Sequence, residues 1–304
     1  MSTCYFTVVT KNYLAYADAL YVSLSKVETE PRFIIFVVDG VSEELARRLK
    51  GRDYLHVLTP SEVRIDNFDK MSIYYDAFEL CNAVKASVMK HILGELGFDT
   101  GIYLDSDMLV LASLAPIADC MGAASFGLCP HFLSPLPNDG CLPDNQTFMN
   151  AGIYNGGFWV FKKTEYSSLI LDWLISACER HAFNDIRNGM FVDQRILNMA
   201  AGIFNGMFHS VNDVGCNVAY WNLHERRIIK GLNGFSVNGA VLRLFHLSGY
   251  SPGSKMLSRY SNRKDCDLLL SNPLREICSI YTETIQSSDF NYLLECPYGL
   301  DSID

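Results

Sequence analysis

The sequence lacks the features that would place it outside the ordinary soluble globular proteins. Its opening stretch, MSTCYFTVVTKNYL, has no basic segment leading into an apolar one, so no secretory leader is expected. No apolar run approaches the ~20 residues of a membrane span. The longest clean one, Phe33 to Val38, has the length of a strand. Ten cysteines are present, yet no two form a C-x-x-C, which argues against a zinc knuckle or a thioredoxin-type pair. Several of them lie in apolar runs, where a free thiol packs as a small hydrophobe, and reduced thiols in a cytoplasmic protein are the expectation. Charge is also sparse, at 19% of residues, and of the wrong sign for polyanions. Lys plus Arg number 25 against 34 Asp plus Glu, net −9. Such a chain has no overall field drawing it to nucleic acid or to an anionic membrane face.

What is present is a large apolar fraction, 49% of 304 residues, enough for a core that needs no staples. The first hundred residues alternate strand and helix signals. Cys4 to Thr10, Arg32 to Val38, Tyr54 to Leu58 and Gly101 to Leu104 read as strands. Tyr13 to Lys26, Glu43 to Lys50 (with Ser42 as N-cap) and residues 79 to 96 read as helices. This order predicts an α/β fold with a Rossmann-like, mostly parallel sheet, helices on both faces, and ligands at the carboxyl ends of the strands. Beyond residue 105 a short helix is expected near 115 to 121 and a strand near 123 to 128. A loop rich in Pro, Asn, Asp and Gly runs from Pro130 to Asn145, long enough for a lid that includes His131. Gly156 to Phe161 reads as a strand and Glu165 to Arg180 as a helix. Short strands follow near 207 to 211, 227 to 230 and 240 to 245, and Pro273 to Ile285 reads as a closing helix. No repeat or linker divides the chain. A single domain over 1–304 is expected, with a nucleotide-binding half (1–110), a second half packed directly on it (111–255) and a helical tail (256–304). Arg259, Arg263, Lys264 and Arg275 in that tail read as an ordinary surface.

The segment Gly101-Ile-Tyr-Leu-Asp105-Ser106-Asp107 sets two carboxylates at the end of a hydrophobic strand. Two hard oxygen ligands there suit Mg²⁺ or Mn²⁺ bridging phosphates, and a solvated acidic turn is the alternative. A second triplet, Asp265-Cys266-Asp267, reads instead as a helix start with acids at the positive end of the dipole. His246 follows the apolar run Val241 to Phe245; taken alone it fits a hydrogen-bonded core histidine. Asp193-Gln194 fits a helix N-terminus, Asn155-Gly156-Gly157 fits a turn, and Lys85 fits a solvated helix face.

Taken together and in order, these elements resemble the metal-dependent GT-A glycosyltransferases, especially the retaining family 8. Thr10-Lys-Asn-Tyr13 stands where that family holds the base and ribose. Asp39 stands where a carboxylate contacts uracil. Tyr103-Leu-Asp-Ser-Asp107 matches the metal motif, Phe191 to Asn198 resembles the D-Q-x-x-L-N element, and Phe245-His246-Leu-Ser-Gly249 is similar to H-x-x-G. The stretch from about 3 to 263 is also similar to bacterial nucleotide-diphospho-sugar transferases.

The resemblance implies Asp105, Asp107 and His246 as metal ligands. It implies Thr10, Tyr13, Asp39, Lys85, Ser106, Asn155 and Gly249 around the nucleotide sugar. Asp193 would hold donor-sugar hydroxyls, with Gln194 beneath the anomeric carbon. The family's lysine three residues after the glycine is replaced by Pro252, so Lys255 is the substitute candidate on a longer loop. Tyr220 and Trp221 offer aromatic faces to a sugar. The implied activity is transfer of a hexose from a UDP-linked donor to a hydroxyl of a glycan, lipid-linked or not, with Mn²⁺ or Mg²⁺ and retention of configuration. Peripheral membrane contact stays open. The competing readings are a sugar-nucleotide-binding protein without turnover and a D-x-D phosphatase. Against the phosphatase, the motif lies on the fourth predicted strand, and Leu109 stands where Thr or Val is usual. A nucleotidyl-sugar pyrophosphorylase would need a Gly-rich loop after Thr10.

Overall fold

The computed structural model describes residues 2–42, 45, 47 and 55–294. Its centre is a seven-stranded sheet made of β1 (Thr3–Val9), β2 (Arg32–Val37), β3 (Leu55–Leu58), β4 (Thr100–Leu104), β6 (Phe126–Pro130), β7 (Tyr154–Lys162) and β8 (Phe208–Ser210). The strands lie in the order β3-β2-β1-β4-β7-β6-β8. Pairing is parallel from β3 to β4 and between β6 and β8, while β7 runs against both of its neighbours. Of the predicted helix over 43–50 only Leu45 and Arg47 are described, both helical; the rest of it and Tyr54, the first residue of the predicted strand, lie outside the described residues.

Both faces of the sheet are covered, which is why its strands read as continuous apolar runs rather than alternating ones. Tyr5, Phe33, Ile35, Ile102 and Phe158 point into one core, shared with α1 (Leu14–Ser25) and the closing α8 (Asn272–Gln286). Phe6, Phe36, Tyr103, Trp159 and Phe161 point into the other, beneath α3 (Ala77–Gly94), α6 (Ser167–His181) and α7 (Val192–Ile203). Gly101 lets α3 lie close on β4, since a Cβ there would come 2.3 Å from Met89 Sδ.

α3 begins two residues earlier than periodicity predicts because Asp76 and Glu79 form a reciprocal capping box. A short α2 (Phe68–Tyr74) precedes it, and α4 (Ala115–Cys120) and α5 (Asn145–Ala151) are similarly brief. The strand expected near 123 to 128 forms as β6, later in sequence. The one expected over 240 to 245 is split. β11 (Ala240–Val241) extends a small antiparallel sheet with β9 (Ile228–Gly231) and β10 (Gly234–Val237), whereas β12 (Leu244–His246) pairs with β5 (Met108–Val110). Asp265 and Cys266 lie in a single 3₁₀ turn (Lys264–Cys266) that Asp267 caps, and the long helix begins only at Asn272 with Pro273 in its first turn.

The tail is not an ordinary surface throughout. Arg263 is buried. Its guanidinium donates to Asp139 Oδ2 (2.6 Å) and to the Pro143 carbonyl (3.0 Å), and Asn262 Oδ1 accepts from the Leu142 N–H (2.7 Å). The Pro-rich loop is therefore fastened to residues 261–263. Among the described residues no helix is long and apolar enough to cross a membrane.

Candidate active site

The pairing of β12 with β5 sets His246 opposite Met108, and so brings the C-terminal histidine to the acidic turn that ends β4. His246 Nε2 lies 3.0 Å from Asp107 Oδ1 and 3.9 Å from Asp105 Oδ2. One ligand atom from each of the three residues lies within 4.8 Å of the others. Asp105 divides its two oxygens. Oδ1 accepts from the Tyr103 hydroxyl at 2.5 Å and from Lys85 Nζ at 3.4 Å, which leaves Oδ2 facing the imidazole. Burial alone would push the Asp107 carboxyl up, but the neighbouring imidazole reverses this and holds it below its ordinary value. Burial likewise opposes charge on His246, and the Asp107 carboxylate more than offsets it, raising the imidazole. Gly157 packs directly against this group. A Cβ there would meet Asp105 Oδ2 at 2.5 Å and His246 Cε1 at 2.8 Å.

Lys85 departs furthest from its expected solvated face. Its side chain is 2% exposed and its ammonium lies 3.2 Å from Asp193 Oδ2 and 4.3 Å above the Tyr103 ring, while donating to the Gly156 carbonyl at 3.1 Å. Asp193, 1% exposed, projects from the first turn of α7. Neither of its oxygens has an aligned hydrogen-bond donor despite the ion pair. Burial raises its carboxyl to about 6, against the opposing pull of Lys85.

Gln194, the next residue, is held at both ends of its amide. Its Oε1 accepts from the Gly156 N–H (2.8 Å) and from Asn155 Nδ2 (3.3 Å), and its amide donates to the Ala151 carbonyl (2.8 Å). Asn155 is a hub: Oδ1 accepts from the Gly157 N–H (3.0 Å) and Asn217 Nδ2 (3.1 Å), and Nδ2 also approaches His131 Nε2 (3.4 Å). His131 is itself buried, with Nδ1 3.0 Å from the Ile153 carbonyl, and burial lowers it to about 4.

At the other end, Thr10 follows β1, its hydroxyl donating to Asn12 Oδ1 at 2.5 Å, and Tyr13 leaves its ring about half exposed beside Tyr16. Asp39 closes β2, buried. Oδ1 accepts from the Lys11 N–H (2.9 Å) while Oδ2 has no partner, and burial raises its carboxyl in spite of that bond. Ser106 sits half-buried in the acidic turn.

Two candidates sit differently from the rest. Gly249 has φ +73°, and a Cβ there would meet the Tyr260 ring and Ser258 at 2.6 Å, so protein packing already requires the glycine. Lys255 is exposed and lines an open cleft of about 380 Å³ with Tyr250, Arg275 and Thr282. Trp221 stands behind His246, edge-on at 5.1 Å, and edge-on to His131 at 5.3 Å. It braces those rings rather than walling an open groove. Asn217 opens the mixed aromatic and polar stretch 217–225, which the sequence offers as a wall of the sugar site; it is fully buried instead, with a left-handed backbone (φ +53°) that Asn tolerates.

No protein-family model matches the chain. The uncharacterized protein YfnF of Bacillus subtilis (strain 168) is 25% identical over 257 residues, 82% of each chain. Among solved structures, the galactosyltransferase LgtC, crystallised with donor and acceptor sugar analogues, superposes with a TM-score of 0.58 at 19% identity, over 94% of this chain and 96% of that one. The chain has the GT-A fold. Two more glycosyltransferases share its architecture across 96% of this chain at 14% identity. GlyE of Streptococcus pneumoniae TIGR4 gives a TM-score of 0.53, with 63% of its own length covered. The bifunctional WbbM gives 0.54, with 51% covered. In GT-A terms, the acidic turn, His246 and α7 gather at the carboxyl edge of β4, where open α/β sheets place their ligands.

Proposed function

We propose that the chain is a metal-dependent glycosyltransferase, moving a hexose from a UDP-linked donor to a hydroxyl of a glycan or lipid-linked glycan, with retention, in the cytoplasm. The observation that carries this reading is the convergence of Asp105, Asp107 and His246 at the end of β4, with their ligand atoms within 4.8 Å of one another. Two carboxylates and an imidazole suit Mn²⁺ or Mg²⁺, and Asp105 Oδ2 is free to join because Tyr103 and Lys85 hold only Oδ1. When bound, such an ion neutralises the charge developing on the leaving diphosphate.

The chain's own residues divide the remaining work. The partnerless Oδ2 of Asp39 offers an acceptor to a base N–H beside Tyr13 and Thr10. Asp193, with two buried oxygens short of donors, suits the hydroxyls of a sugar. Lys85 keeps Asp193 and Asp105 apart in charge and holds the Gly156 carbonyl. Gln194 stabilises the oxocarbenium-like state rather than attacking it, since Oε1 already accepts two hydrogen bonds and a neutral amide is a poor nucleophile. The acceptor hydroxyl then passes its proton to the departing phosphate oxygen as the new glycosidic bond forms. In this reading the chain is one domain whose nucleotide half (1–110), sugar half (111–255) and helical tail (256–304) serve a single site. Any contact with a lipid acceptor would be peripheral.

Calorimetric titration with UDP, with and without Mn²⁺, tests the reading. Binding that needs both the metal and an intact Asp105, and is lost in Asp105→Asn, is expected. UDP binding indifferent to both would overturn the metal assignment. Metal-dependent binding with no turnover of any sugar nucleotide would leave a binding protein.

A further inference from the structure

Strand β7 does not run evenly beside β6. Leu128 pairs with Trp159 and Pro130 with Tyr154, so Asn155 to Phe158 stand against Cys129 alone. Such a bulge re-aims side chains and leaves backbone groups without a strand partner. This one carries the Asn-Gly-Gly segment of the candidate site, and side chains satisfy its polar groups. The Gly156 N–H donates to Gln194 Oε1 at 2.8 Å, and the Gly157 N–H to Asn155 Oδ1 at 3.0 Å. The Gly156 carbonyl accepts from Trp159 Nε1 at 2.8 Å and from Lys85 Nζ at 3.1 Å.

Where the bulge begins, Asn198 of α7 takes the place of a strand. Its Oδ1 accepts from the Tyr154 N–H at 2.9 Å, and its Nδ2 donates to the Tyr154 carbonyl at 3.0 Å and to the Gln194 carbonyl at 2.7 Å. An N–H only donates and a carbonyl only accepts, so backbone atoms alone fix which end of the carboxamide is oxygen. Exchanging one bond each way with a single residue is what a paired strand does. Gly152 completes the fit, since a Cβ there would lie 2.6–2.9 Å from the Asn198 carboxamide. Asn198 and Gln194 are four residues apart on one helix face, and they grip Tyr154 and Gly156, two apart on the strand. The spacings match, because four helical residues rise about 6 Å and two strand residues about 6.6 Å.

We propose that Asn198 is a positioning residue, which holds the register of β7 against α7 so that Asn155, Gly156 and Gly157 meet Gln194 and the acidic turn. The register stands on the hydrogen bonds alone; its value for transfer rests on the glycosyltransferase reading above. Asn198 acts through Gln194 and the bulge, and a slip of about 1 Å in such a frame can cost about 100-fold in rate.

Backbone amide spectra of the metal-free protein test the register, each variant against wild type at the same pH. Asn198→Ala removes both partners of Tyr154, so the Gly156 and Gly157 amide signals should move. The Tyr154 and Gly156 amides should exchange at least about tenfold faster, while Val160 and Phe161, paired with β4 and β6, stay protected. Asn198→Asp keeps the shape and the acceptor but loses the donor. At pH 8 its carboxylate would face the Tyr154 and Gln194 carbonyls, and it should resemble Asn198→Ala. In acid the protonated carboxyl donates and accepts as the amide does, and the wild-type glycine signals should return. Unmoved glycine signals in Asn198→Ala, an Asn198→Asp protein like wild type at pH 8, or exchange quickened equally throughout the sheet would overturn the proposal. Hydrolysis of UDP-galactose or UDP-glucose with Mn²⁺ reads the consequence for the reaction. In Asn198→Ala kcat should fall about 10- to 100-fold with KM within about threefold, and an unchanged kcat would overturn the positioning role. If the amide signals behave as expected but wild type hydrolyses neither donor, the register role stands and the failure belongs to the transfer reading.

Discussion

Replacing Lys85 with Met keeps most of the aliphatic stem and removes a buried cation from between two carboxylates. At an effective dielectric of about 20, a unit pair at the observed 3.2 Å to Asp193 attracts by about 5 kcal/mol before desolvation is counted. Asp105, about a third exposed, shares its charge with solvent, so most of the effect comes from Asp193. Removing one partner of a buried pair costs about 3–5 kcal/mol while the charge left behind stays ionised, a ceiling approached only in alkaline buffer. The pH dependence gives a sharper test. The Asp193 carboxyl already stands at about 6, raised by burial with Lys85 opposing, and losing Lys85 raises it further. A carboxyl raised in the native state binds more protons there than in the unfolded chain. Stability therefore falls as pH rises from the ordinary carboxylate value through the raised one. Urea unfolding should show the deficit of Lys85→Met small near pH 5 and growing by about 1.4 kcal/mol per pH unit above about 6. Adding Asp193→Asn should restore most of it at the higher pH, because the neutral amide needs no cation. A deficit below about 1 kcal/mol at pH 8, one equally large in acid, or no recovery in the double variant would refute the argument.

Two further substitutions probe the geometry. Gly157→Ala drives a methyl to within 2.5 Å of Asp105 Oδ2 and 2.9 Å of Asn155 Oδ1, so it should cost about 1–3 kcal/mol and at least about tenfold in Mn²⁺ affinity; wild-type affinity in that variant would mean the ligands sit elsewhere. Arg263→Ala removes the bonds to Asp139 and Pro143, and the loop over 130–145 should then be cut by protease faster than in wild type while the sheet stays protected. An unchanged cleavage rate would show that the fastening is redundant.

The sheet was legible because its strands are buried on both faces and announce themselves as apolar runs separated by helical spacing. The acidic turn was legible because Asp105 and Asp107 are neighbours in sequence and end such a run. His246 and the Asp193-Gln194 pair needed the family resemblance, since nothing local distinguishes a ligand histidine from a core one. The structure brings these together at one edge. What lay beyond the sequence depends on partners distant in the chain. Lys85 looks like any helical lysine until Asp193 and Asp105 arrive beside it. Arg263 looks like a surface residue until Asp139 reaches it, and Asn217 reads as part of a sugar-site wall until Asn155 and His246 close on it. The capping box at Asp76 and Glu79 could have been seen, as its D-x-x-E spacing is written in the chain.

The pairing of β5 with β12 has a consequence for the ledger of folding as well as for the site. It joins a turn in the first half of the chain to a strand well into the second, and no fragment stopping short of β12 contains all three residues of the cluster. An ion held by Asp105, Asp107 and His246 would bind the folded chain and not the unfolded one, acting as a removable clasp between distant segments. At 100 times its dissociation constant it would add about 2.7 kcal/mol to stability. Chelation would then be felt in the melting temperature of the whole protein and in its resistance to proteolysis, even where no sugar nucleotide is present.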